Sequence, residues 1–395
     1  MEKKFINLNF DKNFKKKICI GIDASNIRAG GGVTHLTELL KFKDFEKLNI
    51  NKIVVWSGQE TIKLLKKNKI ISLRKSTSFK SSIIKRIFWQ IFILSKEIKK
   101  EKCDILFSPG GFYLGNFNPI VAMSQNLLPF SWREIIRFGV SLKTLRLYLL
   151  RISQTYTFNR ANGIIFLSKF ALKTVKKVTG NLKGSVILIP HGINEKFINL
   201  PRKQLNISSY SIKNNYKILY VSTISLYKHQ WNVIEAVAKL RNKYGWPLEL
   251  NIVGSVGDSL AIKKLKNSIA LWDPERKWVK FNGPVSHELI NKVYKKADLG
   301  IFASSCENMP NILIEMMAMG LPVACSNKGP MMEFLRQYGS YFNPESPKEI
   351  FHSLKNLIKN PKLRKKNSKN SYKIAKKYSW NQSSKATFKF LKNIE

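Results

Sequence analysis

Two carboxylates in one short segment carry the clearest chemical signal in the sequence. Glu307 and Glu315 lie eight positions apart in SSCENMPNILIEMMAMGLPVACS, residues 304–326. Ionised carboxylates only accept hydrogen bonds, so they suit the hydroxyl groups of a sugar. The first N–H groups of a helix form an anion site, and a helix is predicted to begin between the two glutamates. The segment therefore predicts a ligand that carries both phosphate and polyol groups.

The elements predicted around the two glutamates support a functional role for the pair. The letters ADLGIFASS predict a buried strand, Asn308 is the predicted N-cap of the next helix, and Pro310 fits its first turn. Gly320 is the predicted end of that helix. The spacing alone is weak evidence, because about one such pair is expected by chance among eighteen glutamates. The alternative for either glutamate is an ordinary solvent-exposed helix position.

The composition is that of a large and strongly basic globular chain. Its 395 residues suit two domains, and the net charge is +44, from 69 Lys and Arg against 25 Asp and Glu. Low-GC coding bias is one explanation of the lysine content. The charge otherwise predicts an anionic partner, either nucleic acid or an acidic membrane surface. Because no nucleic-acid-binding module is recognisable, we expect contact with an anionic membrane and no nucleic acid.

The cysteines and the apolar runs favour a cytoplasmic protein. Four scattered cysteines lie in or beside apolar segments with no CxxC pair, which predicts reduced core residues and no zinc site. The first residues lack the apolar region of a signal peptide, and no run is long enough for a transmembrane helix. We expect a cytoplasmic location, at the inner face of the cytoplasmic membrane if the charge serves membrane contact.

Strand and helix patterns alternate along the chain, which predicts an α/β protein with parallel sheets. Predicted strands of the first half are 17–23, 52–58, 104–109, 119–125, 163–168 and 185–190. Predicted strands of the second half are 216–222, 248–254, 277–283, 298–304 and 322–326. Predicted helices include 33–42, 82–101, 132–160, 169–178, and others starting near Gln230, Asp258, Ser286 and Asn308. A polar stretch over 194–215 is the predicted linker.

A glycine-rich loop follows the first predicted strand. Gly30, Gly31 and Gly32 precede a helix, so the backbone there can approach a phosphate or a sugar closely. Taken alone, such a loop is weak evidence, because a glycine-rich loop is more often a structural turn than a binding loop.

The segment around Glu307 and Glu315 closely resembles the E-x7-E signature of glycosyltransferase family 4, among the glycosyl transferases group 1. These are retaining nucleotide-sugar transferases of the GT-B fold. The resemblance spans about residues 17–393 and is strongest over 277–333. It implies two doubly wound Rossmann-like domains that face each other across a cleft. The expected domains are 1–200 on the acceptor side, 201–378 for the nucleotide sugar, and a helix over 379–395 that packs back on the first.

The resemblance also implies roles for individual residues. Glu307 would contact a hydroxyl of the transferred sugar, Glu315 the ribose, and Lys228 the leaving diphosphate. Glu307 and Lys228 are therefore the expected catalytic residues. The other expected donor-binding residues, several of which act through backbone groups, are Met309, Asn311, Ile312, Gly31, Gly32, Gly254, Gly283 and Val285.

Four positions depart from the family pattern. Thr223 replaces the arginine that usually accompanies the lysine, which puts the usual phosphate clamp in doubt. Gln125 and Asn126 replace a His-Asp pair, so we expect them to position a sugar hydroxyl without transferring a proton. His191 replaces an asparagine in the hinge strand, where a structural role is expected.

These features predict a retaining, metal-independent glycosyltransferase with no cofactor. A hexose-type sugar would pass from a nucleotide-diphosphate sugar to a glycan or lipid-linked glycan acceptor in bacterial surface polysaccharide assembly, for example of lipopolysaccharide. No Asp-x-Asp motif is present, so no metal is expected. The segments 82–100 and 138–156 are basic and amphipathic, which suits either an anionic bilayer or ordinary packing on a sheet. The alternatives are a GT-B nucleotide-sugar epimerase and a non-enzymatic basic protein that binds nucleic acid or membrane.

Overall fold

The computed structural model describes residues 16–28, 30–75, 83–286 and 288–394. These residues divide into two compact units. The first takes in the described residues up to Met123, Ala161–Gly163 and the residues from Ser384 onward. The second comprises Ser124–Arg160 and Ile164–Ser383. The units differ from the expected domains because residues 124–160 and 164–200 group with the C-terminal half.

A parallel sheet of seven strands forms in the described N-terminal half. Its order is β3-β2-β1-β4-β5-β6-β7. Every residue of β1 is buried, as expected for a parallel sheet covered on both faces. The strands are β1 (Ile18–Ala24), β2 (Ile50–Ser57), β3 (Ile71–Lys75), β4 (Ile105–Ser108), β5 (Ile120–Ser124), β6 (Gly163–Phe166) and β7 (Ser185–Leu188).

A second parallel sheet, of six strands, forms in the described C-terminal half. Its order is β10-β9-β8-β11-β12-β13, so β8 and β11 are neighbours, with Leu299 opposite Ile218. The strands are β8 (Tyr216–Val221), β9 (Leu248–Val253), β10 (Val279–Phe281), β11 (Leu299–Phe302), β12 (Val323–Ser326) and β13 (Ser340–Phe342). Both sheets are Rossmann-like, and the predicted α/β GT-B fold is confirmed.

Helices connect the strands of both sheets. In the first half they are α1 (Gly31–Leu40), α2 (Gln59–Ile62), α3 (Ile83–Phe88), α4 (Ser95–Lys100), α5 (Trp132–Ile135), α6 (Leu142–Arg160) and α7 (Lys169–Thr179). In the second they are α8 (Gln230–Tyr244), α9 (Ser259–Trp272), α10 (Ile290–Lys296), α11 (Asn311–Ala318), α12 (Met331–Leu335), α13 (Pro347–Lys359), α14 (Pro361–Ala375) and α15 (Trp380–Ile394). A π-helical turn, Trp89–Leu94, joins α3 to α4. None of the described helices has the length and apolar character needed to cross a bilayer.

Two of the predicted helices differ from the structure, and two of its strands were not predicted. The helix predicted over 132–160 is interrupted at Gly139, whose φ of +58° favours glycine and ends a 3-10 turn before α6 begins. The helix predicted near Ser286 begins only at Ile290. The edge strands β3 and β13 were not predicted, because they are five and three residues long and β3 is largely exposed.

The C-terminal helix returns to the first unit, as predicted. From Ser384 onward α15 belongs to that unit, and Phe388 packs on Phe42 and Phe45 with ring centroids 5.7 and 5.0 Å apart. All four cysteines, Cys19, Cys103, Cys306 and Cys325, are buried and unlinked.

Candidate active site

The topology of the second sheet brings Lys228 and Glu307 together. Lys228 follows β8 and Glu307 follows β11, and these strands are neighbours in the sheet. The carboxyl ends of parallel strands meet at one edge, so the two loops lie side by side. The Ser305 N–H donates a 2.9 Å hydrogen bond to the Tyr227 carbonyl and holds the loops together.

Lys228 and Glu307 form an ion pair. Lys228 Nζ donates to Glu307 Oε1. Lys228 is only 5% exposed, whereas the Glu307 side chain is 16% exposed. The ammonium also lies 5.1 Å from the ring centroid of Phe302 and 4.9 Å from that of Tyr227. The two expected catalytic residues therefore form an ion pair without net charge, and Nζ retains further protons for an anionic ligand.

The backbone after Lys228 makes a sharp turn into α8. The Lys228 N–H donates to the Ser225 carbonyl at 2.9 Å, and His229 adopts a left-handed conformation with φ of +49°. His229 Nε2 lies 3.1 Å from Ser305 Oγ. Burial, together with the positive charge of Arg137, lowers the pKa of His229 to about 4. His229 is therefore neutral at pH 7 and fixes the loop without adding charge.

The N-terminus of α11 lies directly after the Glu307 loop. The helix begins at Asn311, with Pro310 as N-cap and no side-chain capping bond. The Asn311 N–H donates to the Met309 carbonyl at 3.0 Å. The N–H groups that follow it in the first turn have no partner within the helix, so this turn can accept an anion. Gly320, with φ of +70°, follows the end of the helix as predicted.

The prediction that Asn308 caps α11 is wrong. Its side-chain nitrogen instead donates to the carbonyl and Oγ of Ser124, at 3.0 and 3.1 Å. Ser168 Oγ donates to the Asn308 carbonyl at 2.7 Å. The asparagine side chain is therefore directed into the fold, where its nitrogen has partners but its buried Oδ1 has no hydrogen-bond partner among the described residues.

His191 contacts the expected donor-binding segment, and this contact was not predicted from the sequence. Its N–H donates to Met309 Sδ at 3.0 Å, and its Nδ1 lies 3.3 Å from the Asn311 side-chain nitrogen. Burial lowers the pKa of His191 to about 4. A neutral histidine therefore orients two of the expected donor-binding residues. The only available signal was its replacement of the usual asparagine.

Glu315 is half-buried in α11 and has one strong partner. The Tyr294 hydroxyl donates to Glu315 Oε2 at 2.8 Å. Burial raises the pKa of Glu315 to about 7, although the Tyr294 hydrogen bond and Lys196 oppose the rise. Oε1 has no partner among the described residues and can accept from a ligand hydroxyl.

Gly254 and Gly283 contact each other at the ends of β9 and β10. The Gly254 N–H donates to the Gly283 carbonyl at 2.9 Å. A Cβ added to Gly254 would lie 1.9 Å from the Ser222 carbonyl oxygen, so no other residue fits without a backbone shift. Gly283 has φ of +70°, and Val285, half-buried, follows it in the same loop.

An exposed threonine occupies the position where the family pattern has an arginine. Thr223 follows β8, and its carbonyl accepts from Gln230 Nε2 at 3.1 Å. Gln230 also donates to Ser222 Oγ at 3.1 Å. A neutral amide therefore organises this loop where the family pattern has a cation, and sequence reasoning did not single it out.

The remaining expected residues lie at other strand ends. Gly31 and Gly32 open α1 in the first unit, after Gly30 with φ of +65°. Gln125 and Asn126 follow β5 in the second unit, and Asn126 Oδ1 accepts from the Leu128 N–H at 3.1 Å. Ile312, half-buried, is the second residue of α11. Over the part of the chain that the structure describes, no cluster of three or more His, Cys, Asp or Glu is suited to a metal ion.

Comparison with known proteins finds a family match in the C-terminal half of the chain. Residues 202–374 match the family model described as Glycosyl transferases group 1. A protein of Methanocaldococcus jannaschii, described as an uncharacterised glycosyltransferase, is 27% identical over 232 residues. That match covers 57% of this chain and spans 58% of the relative's length.

Solved structures share the fold over nearly the whole chain. Anabaena HepE, in complex with UDP and glucose, has a TM-score of 0.70 at 17% identity and covers 95% of this chain and 100% of its own. Sucrose-phosphate synthase from Thermosynechococcus elongatus has a TM-score of 0.73 at 14% identity, with 94% and 97% covered. WaaG, a glycosyltransferase involved in lipopolysaccharide biosynthesis, has a TM-score of 0.69 at 15% identity, with 95% and 99% covered. Residues 202–374 thus match the glycosyl transferases group 1 family in a chain that has the GT-B fold.

Proposed function

We propose that this protein is a retaining family 4 glycosyltransferase. It transfers a hexose-type sugar from a nucleotide-diphosphate sugar to a glycan or lipid-linked glycan acceptor in bacterial surface polysaccharide assembly. The observation that carries the proposal is the Lys228–Glu307 ion pair beside the uncapped N-terminus of α11. The match of residues 202–374 to a glycosyltransferase family supports it.

In this proposal the donor diphosphate binds at the first turn of α11. Backbone N–H groups near Met309, Asn311 and Ile312 and the ammonium of Lys228 stabilise its negative charge. Glu307 accepts from a hydroxyl of the transferred sugar. Glu315 accepts from the ribose through Oε1 while Tyr294 holds Oε2.

The chemical step requires little more than charge stabilisation. The bond between the sugar C1 and the diphosphate oxygen breaks, and its electron pair leaves with the phosphate. The acceptor hydroxyl bonds to C1 from the same face, and its proton passes to the departing phosphate oxygen. Lys228 and the helix end supply the positive potential for this charge, so the proposed transfer uses no metal.

UDP-sugars are the first donors to test. The fold neighbour HepE was crystallised with UDP and with UDP-glucose. A panel of UDP-, GDP-, ADP- and dTDP-sugars, screened by thermal protection and by hydrolysis, would identify the base and the sugar. The anomeric configuration of the released sugar, followed by NMR, would test retention. The hydrolysis rate should be unchanged by EDTA.

Isothermal titration would test the donor site directly. Glu315→Ala should weaken binding of the selected nucleotide sugar by about tenfold or more, because the ribose loses a charged acceptor. Glu275→Ala is a matched control, since the Glu275 side chain is 67% exposed on another loop. Equal affinity of the Glu315→Ala variant and the wild type would contradict the assignment of this site.

A further inference from the structure

The outward face of α6 is apolar. The opposite side of this 19-residue helix is buried through Leu147, Gln154, Thr157 and Phe158. Six large apolar side chains on the outward side are each at least 46% exposed, namely Leu142, Leu145, Tyr148, Leu149, Ile152 and Tyr156. A surface helix normally places polar residues on this side.

These six residues form one continuous stripe, which we name the α6 stripe. Their spacings of three and four positions keep them on one face of a helix with 3.6 residues per turn. The preceding segment continues the apolar surface, because Trp132 and Ile136 are each 56% exposed and Val140 is fully exposed. Contiguous apolar surface of this extent marks an interaction site.

The charges around the α6 stripe select an anionic partner. The helix contains four cations and no acidic residue. Three of the cations have partners within the chain, namely Lys143 with Asp258, Arg151 with the Pro129 carbonyl and Arg160 with Tyr156. Arg146 has no hydrogen-bond or ion-pair partner among the described residues, and it borders the stripe one position after Leu145. A second copy of the chain would set Arg146 against the same helix, which offers no carboxylate in return.

We propose that the α6 stripe docks on the surface of an anionic lipid bilayer. The helix lies in the plane of the membrane, its apolar side chains enter the boundary between headgroups and acyl chains, and Arg146 meets lipid phosphates. The net charge of +44 draws the protein to the same surface. This inference is independent of the donor sugar and stands or falls separately from the transferase reaction.

Vesicle co-sedimentation tests the proposal with the full-length protein. The probes are vesicles of phosphatidylcholine mixed with phosphatidylglycerol, and vesicles of phosphatidylcholine alone. We expect wild-type protein to bind the mixed vesicles. The double variant Leu149→Gln/Ile152→Gln should bind them at least about tenfold more weakly. Arg146→Gln should weaken binding and reduce its salt dependence.

Matched variants separate the stripe from general hydrophobicity. Ile212→Gln changes a side chain that is 89% exposed outside the stripe, and it should bind like wild type. Thermal melting followed by circular dichroism checks that each variant is folded. Wild-type binding by a folded Leu149→Gln/Ile152→Gln variant would overturn the proposal.

Two other results would also overturn it. One is that binding survives in the stripe variant but is lost in Phe88→Gln/Phe92→Gln, whose rings are exposed on the other basic segment. The other is that wild type ignores both kinds of vesicle while sedimentation velocity shows a dimer that Leu149→Gln/Ile152→Gln dissociates. That second result would assign the stripe to self-association.

Discussion

Lys228 Nζ donates a hydrogen bond to Glu307 Oε1, so two groups expected to hold different parts of a donor are already paired with each other. The pair is nearly buried, with side-chain exposures of 7% and 16%. A charged ligand at this position therefore meets a neutral pair instead of an isolated cation. Donor binding must redirect at least one proton of Nζ from the carboxylate toward phosphate.

A double-mutant cycle should reveal strong coupling between these residues. Lys228→Met and Glu307→Gln each leave a nearly buried partner without its counter-charge, at a cost on the order of 3 kcal/mol in the free energy of unfolding. The double variant should lose about 1–3 kcal/mol less than the sum. Chemical denaturation measures these values. The exposed Lys277–Glu275 pair is the control and should show almost no coupling.

The same variants should differ from wild type in the rate of transfer. Lys228→Met should lower kcat by about 10²–10³-fold, because the leaving diphosphate loses its cation. Initial rates with the donor identified by the panel would measure this effect. Strong coupling in stability together with an unchanged kcat would show that the pair is only structural, and additive losses would show that the two residues are not coupled.

Donor affinity should depend on the ionisation of Glu315. Its pKa is raised to about 7, and a ribose hydroxyl binds the ionised form better, so affinity should rise with pH through about 7 and level off above it. A nucleotide sugar is a suitable probe because its diphosphate does not titrate in this range. Glu315→Gln should remove the dependence. An identical pH profile for wild type and variant would contradict the role given to this carboxyl.

Glu315 should also shape the stability of the free protein. Because its folded pKa of about 7 exceeds the usual 4.5, the folded state favours the protonated form. The stabilising contribution is present at low pH and is lost as pH rises from 4.5 to 7. The Tm of Glu315→Gln relative to that of wild type should therefore rise as the pH rises across this range.

Two buried histidines should make the folded protein less stable as the pH becomes acidic. The pKa values of His191 and His229 are lowered from 6.5 to about 4, so the folded state favours their neutral forms. Their contribution is complete above pH 6.5 and is lost as the pH falls toward 4. The Tm of His191→Asn should fall less than that of wild type as the pH drops over this interval. The exposed His352→Gln should follow wild type, and a His191→Asn curve that matches wild type would contradict the explanation.

Two glycine substitutions should differ in severity. Gly283→Ala meets no atom within 4 Å, so its cost is the backbone strain of φ at +70°, about 1–2 kcal/mol. Gly254→Ala places a methyl group against the Ser222 carbonyl and must break the hydrogen bond to Gly283. Urea denaturation should show the larger loss for Gly254→Ala. Equal losses would mean that the β9 loop relaxes easily.

Local pattern was sufficient to predict most of the elements. The run ICIGIDA predicted β1, and α8 and α15 begin where expected, at Gln230 and Trp380. Local pattern failed where one residue overrides a helical sequence, as Gly139 does before α6, and where a strand is only three residues long, as β13 is. Such short signals are too small to recognise against their surroundings.

The candidate site was predicted as a set of positions but not as a set of contacts. Lys228 and Glu307 are 79 residues apart, and their pairing depends on β8 and β11 being neighbours. The partner of Asn308 is 184 residues away, so a capping role was the reasonable local expectation. Tyr294, His191 and Gln230 act through burial and hydrogen bonds that no spacing rule reveals.

The anchoring of Asn308 limits how this chain can be divided. Its side chain is held by Ser124 and its carbonyl by Ser168, and Glu345 is paired with Arg137 at 2.5 Å. All three supports come from the N-terminal half of the sequence, outside the matched segment 202–374. A fragment cut at the linker would retain both glutamates and Lys228 but lose the contacts that shape their loop. Domain exchange between relatives should therefore move residues 124–190 together with the segment that carries the glutamates.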